Sequence, residues 1–410
     1  MNAKTSFSTV IIVHDYGDIR GGQEKVAVDS ALGLRAAGVD VVYFCACAPV
    51  DPRLAAQGVR VICLDQHDIA SHPSALGAAR QGLWNPIAAR RLGALLAEFA
   101  PGEAVVHVHG WTKALSAAIG PVVTAPGQKH VYTMHEYFLA CPNGGFFNYP
   151  KGEVCTLRAM GPACMVSHCD QRHIAHKAFR VARSAAAQIR GKLPKGLRNI
   201  IYISELQRSV MEAYLPREAR LHAVGNPISV AKAPRIAAEE NAPFVFVGRL
   251  EPVKGALDFA RAAAEAGLPA VLVGDGAERE AVRAANGAAE VTGWVPPEEV
   301  MARLRSARCL VFPSHWYECQ PLVPYEALAL GIPVITYDAS AAREAVVDGR
   351  NGQVVSFDRR ATALPEAMAR CADPAYVQAQ SEAAHGGYWS APLTRERHVS
   401  ALLGVYGALA

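Results

Sequence analysis

Short apolar runs rich in β-branched residues recur along the chain, each followed by a stretch with helical spacing. In the first half they occupy residues 9–14, 39–46, 59–64, 104–109, 130–135 and 199–204. These runs do not alternate apolar with polar positions, which predicts strands covered by helices on both faces, that is, a parallel sheet. The segment 224–242 breaks the pattern with Pro227 and Pro234, and after Pro243 it restarts at 244–247, 270–273, 309–312, 333–336 and 352–355. The expected fold is α/β, with two facing, doubly wound Rossmann-like domains over residues 1–225 and 226–390. A last helix over 391–410, with Val399, Leu402, Leu403 and Tyr406 at helical spacing, is expected to pack back on the first domain. Ligands of such sheets bind beyond the carboxyl ends of the strands, so a cleft between the domains is the expected site.

Composition supports a large core: of 410 residues, 51% are hydrophobic and 19% charged, which excludes a disordered or fibrous chain. No run approaches the roughly 18 apolar residues of a membrane span. The polar stretch 1–8 leads straight into a strand-like run and does not read as a signal peptide. The ten cysteines mostly lie in apolar runs, which fits a cytoplasmic location.

Charge is uneven, with 24 Lys and Arg against 16 Asp and Glu in residues 1–230, and 17 against 21 in the remainder. No aromatic-basic repeat accompanies the excess, so nucleic acid is not an expected partner. Residues 172–198 contain Lys177, Arg180, Arg183, Arg190, Lys192 and Lys195 and no acid. Interleaved with Ile174, Ala178, Phe179, Val181 and Ala182, they read either as a basic amphipathic helix on the anionic inner face of the cytoplasmic membrane or as a solvated helix face packed on its own domain.

The first strand leads through 15–20 to Gly21 and Gly22 at a helix start, where backbone N–H groups and the helix dipole favour an anion. Neither the G-x-G-x-x-G fingerprint of dinucleotide sites nor a G-x-x-x-x-G-K-[ST] phosphate loop occurs, which disfavours a nicotinamide oxidoreductase. In the second domain, Gly248-Arg249 ends a strand and Lys254-Gly255 precedes a helix. Two cations there can neutralise a diphosphate without a metal. After the strand 309–312 comes Glu318-Cys319-Gln320-Pro321-Leu322-Val323-Pro324-Tyr325-Glu326, with Glu326 read as opening a helix; two acids so placed can grip ligand hydroxyls.

Taken together, Gly248-Arg249 with Lys254, the Glu318 and Glu326 pair, and Ala-Leu-Gly-Ile-Pro-Val-Ile resemble the donor-binding half of retaining family-four glycosyltransferases of the GT-B fold. The resemblance implies that Arg249 and Lys254 contact the donor diphosphate, that Glu318 lies by the donor sugar, and that Glu326 holds the ribose. It implies that backbone around Gln320, Pro321, Leu322 and Val323 meets sugar and phosphate, and that the turn Gly293-Trp294-Val295 contacts the base. Where the family more often has Gly-Phe-Gly, this chain has Cys319-Gln320-Pro321. In the first domain, Thr133-Met134-His135-Glu136-Tyr137 resembles the family's Thr-His-Asp-Tyr, whose His approaches the donor sugar. His107 and His109 share a sheet face by strand period.

Those likenesses imply transfer of a sugar from a nucleoside-diphosphate donor of UDP or GDP type to a glycan or lipid-linked acceptor hydroxyl with retained configuration. His135 and Glu318 act at the sugar, and Gly21, Gly22, Arg249 and Lys254 at the diphosphate. No Asp-x-Asp motif occurs, so no cofactor is required. Cell-surface polysaccharide or glycolipid synthesis is the expected setting. The other readings are a catalytically weak sugar-nucleotide-binding assembly module and a nucleotide-sugar epimerase. Cys141, Cys155, Cys164 and Cys169 fall in one loop-rich region, as free thiols or as ligands of a structural zinc with His168 or His173 as substitutes.

Overall fold

A computed structural model describes residues 7–409, so most of the polar stretch 1–8 lies outside the described residues. The chain divides into two units. One comprises Met1–Phe146, Thr156–Pro227 and Leu393–Ala410; the other comprises Phe147–Cys155 and Ile228–Pro392. The continuous first domain read from the sequence is therefore interrupted by a short hairpin, which carries no periodicity long enough to register in the sequence.

In chain order the strands are β1 (Thr9–Gly17), β2 (Asp40–Val50), β3 (Arg60–Cys63), β4 (Ala104–Val108), β5 (Lys129–Thr133), the hairpin strands β6 (Phe147–Asn148) and β7 (Glu153–Val154), β8 (Asn199–Tyr202) and β9 (Arg220–Ala223). The first unit's seven-stranded sheet has the order β3-β2-β1-β4-β5-β8-β9. Its pairings are parallel throughout. Every residue of β1 and β4 is buried, which is why these strands read as unbroken apolar runs.

β1 runs three residues past the strand end expected at His14. The polar residues there are tolerated because each has a partner: the Asp15 carboxylate accepts from the backbone N–H of Lys113, Ala114 and Leu115, and the Tyr16 hydroxyl donates to Asp68 at 2.7 Å. Gly17 ends the strand against Val50, where a Cβ would stand 2.8 Å from Val50 Cγ2.

The helix Gly22–Ala36 buries Val26, Ala27, Val28, Ala31, Leu32 and Leu34. It packs on the last helix, Arg395–Gly407, which Thr394 caps by accepting from Arg397 N–H. Their contact is close enough that a Cβ on Gly33 would lie 3.1 Å from Arg395 Cγ, and closer still to Val399. Ser30 Oγ and His398 Nε2, 2.9 Å apart, tie the same two helices together.

The second unit contains β10 (Phe244–Val247), β11 (Ala270–Val273), β12 (Glu290–Gly293), β13 (Cys309–Phe312), β14 (Val334–Tyr337) and β15 (Gly352–Val355). Their order β12-β11-β10-β13-β14-β15 is that of a doubly wound sheet whose strand order reverses between β10 and β13. The core joins Phe244, Phe246, Phe259, Leu272, Leu310, Ile335 and their neighbours, each fully or almost fully buried. Each such side chain contributes about 1.5–3 kcal/mol relative to exposure. Buried Arg308 satisfies its guanidinium on the carbonyls of Cys371, Glu239, Asn241 and Ala372.

β9 and β12 have no counterpart in the sequence reading. At four residues each, with Arg220 and Glu290 exposed and His222 and Thr292 half-buried, they lack the apolar run that marks the central strands.

Candidate functional site

In the second unit, β10 and β13 end side by side at the reversal point, and their following loops carry most of the residues singled out above. Gly248 leaves β10 at φ 157°. Arg249 Nη1 meets Glu251 Oε1 at 2.7 Å while its side chain stays 66% exposed, leaving the guanidinium open to a further partner. The turn Pro252–Lys254 ends at Gly255 with φ 72°, a left-handed conformation that suits glycine. A Cβ there would also press on His315 Nε2 at 3.1 Å, and harder still on the Pro313 carbonyl.

This turn aims Lys254 at the second loop. Its Nζ lies 2.5 Å from Glu318 Oε1 and 5.3 Å from the centre of the Trp316 ring. Ser314 Oγ donates to the same carboxylate oxygen at 2.9 Å. Burial pushes the Glu318 carboxyl up, but the Lys254 charge and the hydrogen bonds from Lys254 and Ser314 outweigh it and hold the group below the usual carboxylate range. Glu318 is thus an ionised carboxylate in a site only 11% exposed.

Beyond it, Gln320 is buried and hydrogen-bonds Tyr325, and Pro321 caps the helix Leu322–Leu330. Glu326 therefore does not open the helix but sits one turn inside it. The helix begins earlier because Pro324, lacking an N–H, falls in the first turn, where amides have no intrahelical partner. The first-turn amides of Leu322 and Val323 belong to that open end.

Gly293 ends β12 at φ 77°, bridged to Gly274. Trp294 after it is 81% exposed, and Val295 packs on the core. Asp275 and Arg279, paired at 2.8 Å, stand beside this turn.

One constellation escaped the sequence reading. His315 Nε2 lies 2.8 Å from Asp258 Oδ2, which also accepts from the Tyr337 hydroxyl at 3.1 Å. Burial pushes the Asp258 carboxyl up, but His315, Tyr337 and Arg360 bring it below its ordinary value. The pair anchors the loop bearing Ser314 and Glu318 to the helix Ala256–Glu265. Its only sequence signal is a His next to the motif, because the partner lies in a different helix.

In the first unit, the histidines gather at the carboxyl ends of β4 and β5. His109 Nδ1 and His135 Nε2 share a hydrogen bond of 2.9 Å, with rings nearly parallel and 5.2 Å apart. His107, at 4.1 Å from the His109 ring, bridges Thr133 Oγ1 and the Tyr406 hydroxyl, each at 2.6 Å. Burial, then the neighbouring imidazoles, push His107 and His109 well below the ordinary histidine range, and His135 to about 3. These are neutral rings at pH 7, suited to hydrogen bonding rather than to donating a proton. The buried Nε2 atoms of His14 and His109 have no partner among the described residues.

Glu136 beside them accepts from Thr112 Oγ1 at 3.0 Å, and burial raises its carboxyl to about 7 against the pull of Lys113, Thr112 and Arg183. Gly21 caps the helix Gly22–Ala36 with extended backbone and no side-chain cap; both glycines are exposed, and Glu24 already occupies the first turn.

Two pairs of alternatives are narrowed by the structure. Residues 174–189 form a helix, but Lys177 and Arg183 are buried, and Arg180 pairs with Asp170 at 2.8 Å. Arg183 donates to the Thr112 carbonyl and covers the Phe138 ring. These three cations serve the unit's interior and are not available to a membrane surface.

The four-thiol zinc site is not formed, since no three His, Cys, Asp or Glu among the described residues make a metal-holding group. The Lys177 ammonium instead contacts Cys169 Sγ at 3.1 Å and Cys164 Sγ at 3.7 Å. No helix among the described residues is long and apolar enough to cross a membrane.

Comparison with known proteins gives a consistent result. Residues 21–227 match the family described as "Glycosyl transferase 4-like domain", and residues 242–373 match "Glycosyl transferases group 1". A GDP-mannose-dependent alpha-mannosyltransferase of Mycolicibacterium smegmatis is 36% identical over 124 residues, 30% of this chain and 32% of that protein. The chain thus matches about a third of that relative's length.

Among solved structures, a sucrose-phosphate synthase from Thermosynechococcus elongatus superposes with TM-score 0.71 at 18% identity, over 97% of this chain and 98% of that one. Anabaena HepE in complex with UDP and glucose gives 0.67 at 15% identity, over 98% of this chain and 100% of that one. At these identities the likeness concerns the fold, which is GT-B.

Proposed function

The chain belongs to the glycosyltransferase 4-like family, and from that premise we propose that it moves a sugar from a nucleoside-diphosphate donor, UDP or GDP in type, to a hydroxyl of a glycan or lipid-linked acceptor with retention of configuration. Synthesis of a cell-surface polysaccharide or glycolipid is the setting we assign to it. The observation that carries the donor reading is the contact of Lys254 with the ionised Glu318. It joins two motifs far apart in sequence at the reversal point of a doubly wound sheet, where such folds bind ligands.

In this reading the second unit holds the donor. Arg249 and Lys254 meet the diphosphate, Glu326 the ribose, the first-turn amides of Leu322 and Val323 with Gln320 and Pro321 the sugar and phosphate, and Gly293 and Val295 the base. As the bond from the anomeric carbon to the diphosphate breaks, the two cations take up charge on the leaving group and Glu318 stabilises positive charge on the sugar. The acceptor oxygen adds to the same face, and its proton passes to the departing phosphate oxygen.

The first unit takes the acceptor side. Neutral His135, aligned by His109, offers a hydrogen bond to a sugar hydroxyl, and Gly21 and Gly22 leave amides open to the diphosphate. The test is transfer itself. Glu318→Ala is expected to abolish product formation while the chain keeps its thermal unfolding profile, and an active, folded variant would overturn the assignment of Glu318.

A further inference from the structure

Away from the residues assigned to sugar transfer, the first unit buries a lysine among thiols. Lys177 stands near the start of the helix Ile174–Ile189 and is 1% exposed. The place is costly twice over, because a buried ammonium needs a partner and a cation is poorly placed at the positive end of a helix dipole. Its partners are sulfurs, Cys169 Sγ at 3.1 Å and Cys164 Sγ at 3.7 Å. The carboxylate next to Cys169 in sequence, Asp170, pairs with Arg180 instead. Burial pushes the Lys177 ammonium down, but Cys169, Cys164 and Cys141 outweigh it and hold the group above the ordinary lysine value.

A second donor meets the same sulfur. Asn143 Nδ2 donates to Cys169 Sγ at 3.1 Å and to the Cys169 carbonyl at 2.6 Å. An ammonium and an amide from two other segments therefore converge on Cys169 Sγ, and both stabilise negative charge there. Cys164 sits in the short helix Pro162–Val166, with Ser167 Oγ donating to its carbonyl at 3.0 Å. Both thiols lie just beneath the surface, since Met165, Val166 and His168 between them are exposed.

The first sheet supplies a contrasting pair. Cys45 and Cys63 stand in register on β2 and β3. Burial, then Cys63, Cys47 and Asp18, push the Cys45 thiol up. What Cys169 adds to the mere nearness of two thiols is a cation on the sulfur.

We propose that Cys169, activated by the Lys177 charge and resolved by Cys164, is a site of reversible oxidation by a hydroperoxide. All ten cysteines are free in the reduced chain. The thiolate is the reacting form of cysteine. Its sulfur attacks one peroxide oxygen, the O–O bond breaks, and the released hydroxide takes up the proton the thiol gave, leaving water and a Cys169 sulfenic acid. The Cys164 sulfur then attacks Cys169 Sγ. The S–S bond forms as the S–O bond breaks, and the hydroxide leaves with the Cys164 proton as a second water. Two electrons pass from sulfur to oxygen, and an added dithiol reverses the bridge. The proposal does not depend on the assigned transferase roles.

The test treats the reduced full chain with a small excess of hydrogen peroxide and maps every cysteine by alkylation and mass spectrometry. The expected product is a Cys164–Cys169 bridge that dithiothreitol removes, with Cys45 and Cys63 still open to alkylation after unfolding. Cys164→Ser should stop at the sulfenic acid, which dimedone labels at Cys169. Lys177→Met in that background should slow the labelling about tenfold, the change in thiolate fraction that one neighbouring charge produces.

Thiols at 164 and 169 that stay reduced while other cysteines oxidise would overturn the proposal, as would a Cys45–Cys63 bridge formed as readily or a bridge to Cys141 in place of Cys164. Labelling at full speed in a folded Lys177→Met chain would overturn the activating role of the lysine. If that variant does not fold, Cys164→Ser alone decides, since a first label on any cysteine other than Cys169 refutes the assignment.

Discussion

Replacing Lys254 with Met is the perturbation with the most closely defined consequence. The substitution keeps an aliphatic stem of similar length but removes the ammonium that sits against Glu318, whose side chain is 11% exposed. Breaking a buried pair on one side costs about 3–5 kcal/mol, because the remaining charge is buried without a partner. Ser314 still donates a hydrogen bond to the carboxylate, which brings the expected loss to roughly 2–4 kcal/mol at pH 8.

With Lys254 gone, burial dominates and raises the Glu318 carboxyl above its ordinary value. The loss should therefore shrink as pH falls and the group takes up a proton. Urea unfolding followed by tryptophan fluorescence at pH 8 and pH 5 measures both. The double variant Lys254→Met/Glu318→Gln should regain much of the stability at pH 8. A single variant as stable as the wild type at pH 8, or a double variant that loses the sum of the two singles, would refute the pairing.

Glu136 gives a pH effect of known sign. With its carboxyl raised from 4.5 to about 7, the folded chain keeps a proton that the unfolded chain releases. Its contribution is fully present below pH 4.5 and is lost as pH rises to about 7. Glu136→Gln should flatten that decline in urea midpoints between pH 5 and 7.5, and an unchanged slope would contradict the assignment. Gly33→Val should force the last helix off the helix Gly22–Ala36, at a cost of about 1–3 kcal/mol from overpacking. Calorimetric unfolding of the variant checks this, and an unshifted transition would mean that the two helices part without cost.

The doubly wound sheets were legible because central parallel strands, buried on both faces, leave continuous apolar runs such as Val10–Val13 and Phe244–Phe246. What separates the legible from the illegible is whether a residue's environment is local. Arg249, Lys254 and Glu318 stand out because strand ends and helix starts bracket them within a few positions.

The inward turn of Lys177 and Arg183 was not legible. A cation on a helix reads as solvent-facing unless its partners are known, and here those are the thiol of Cys169 and the carbonyl of Thr112, contributed by other segments. The Asp258–His315 pair is likewise a product of tertiary contact.

In the proposed function the second unit binds a nucleoside-diphosphate sugar through Arg249, Lys254, Glu318 and Glu326. The most direct measurement is the thermal unfolding of the full chain with UDP, GDP, ADP and their common sugar conjugates, with and without EDTA. A ligand bound only by the folded state at a hundred times its Kd stabilises by about 2.7 kcal/mol. The expected result is a rise with one nucleotide class that EDTA does not reduce and that Lys254→Met abolishes; a folded protein whose transition shifts with none of them would contradict the donor assignment.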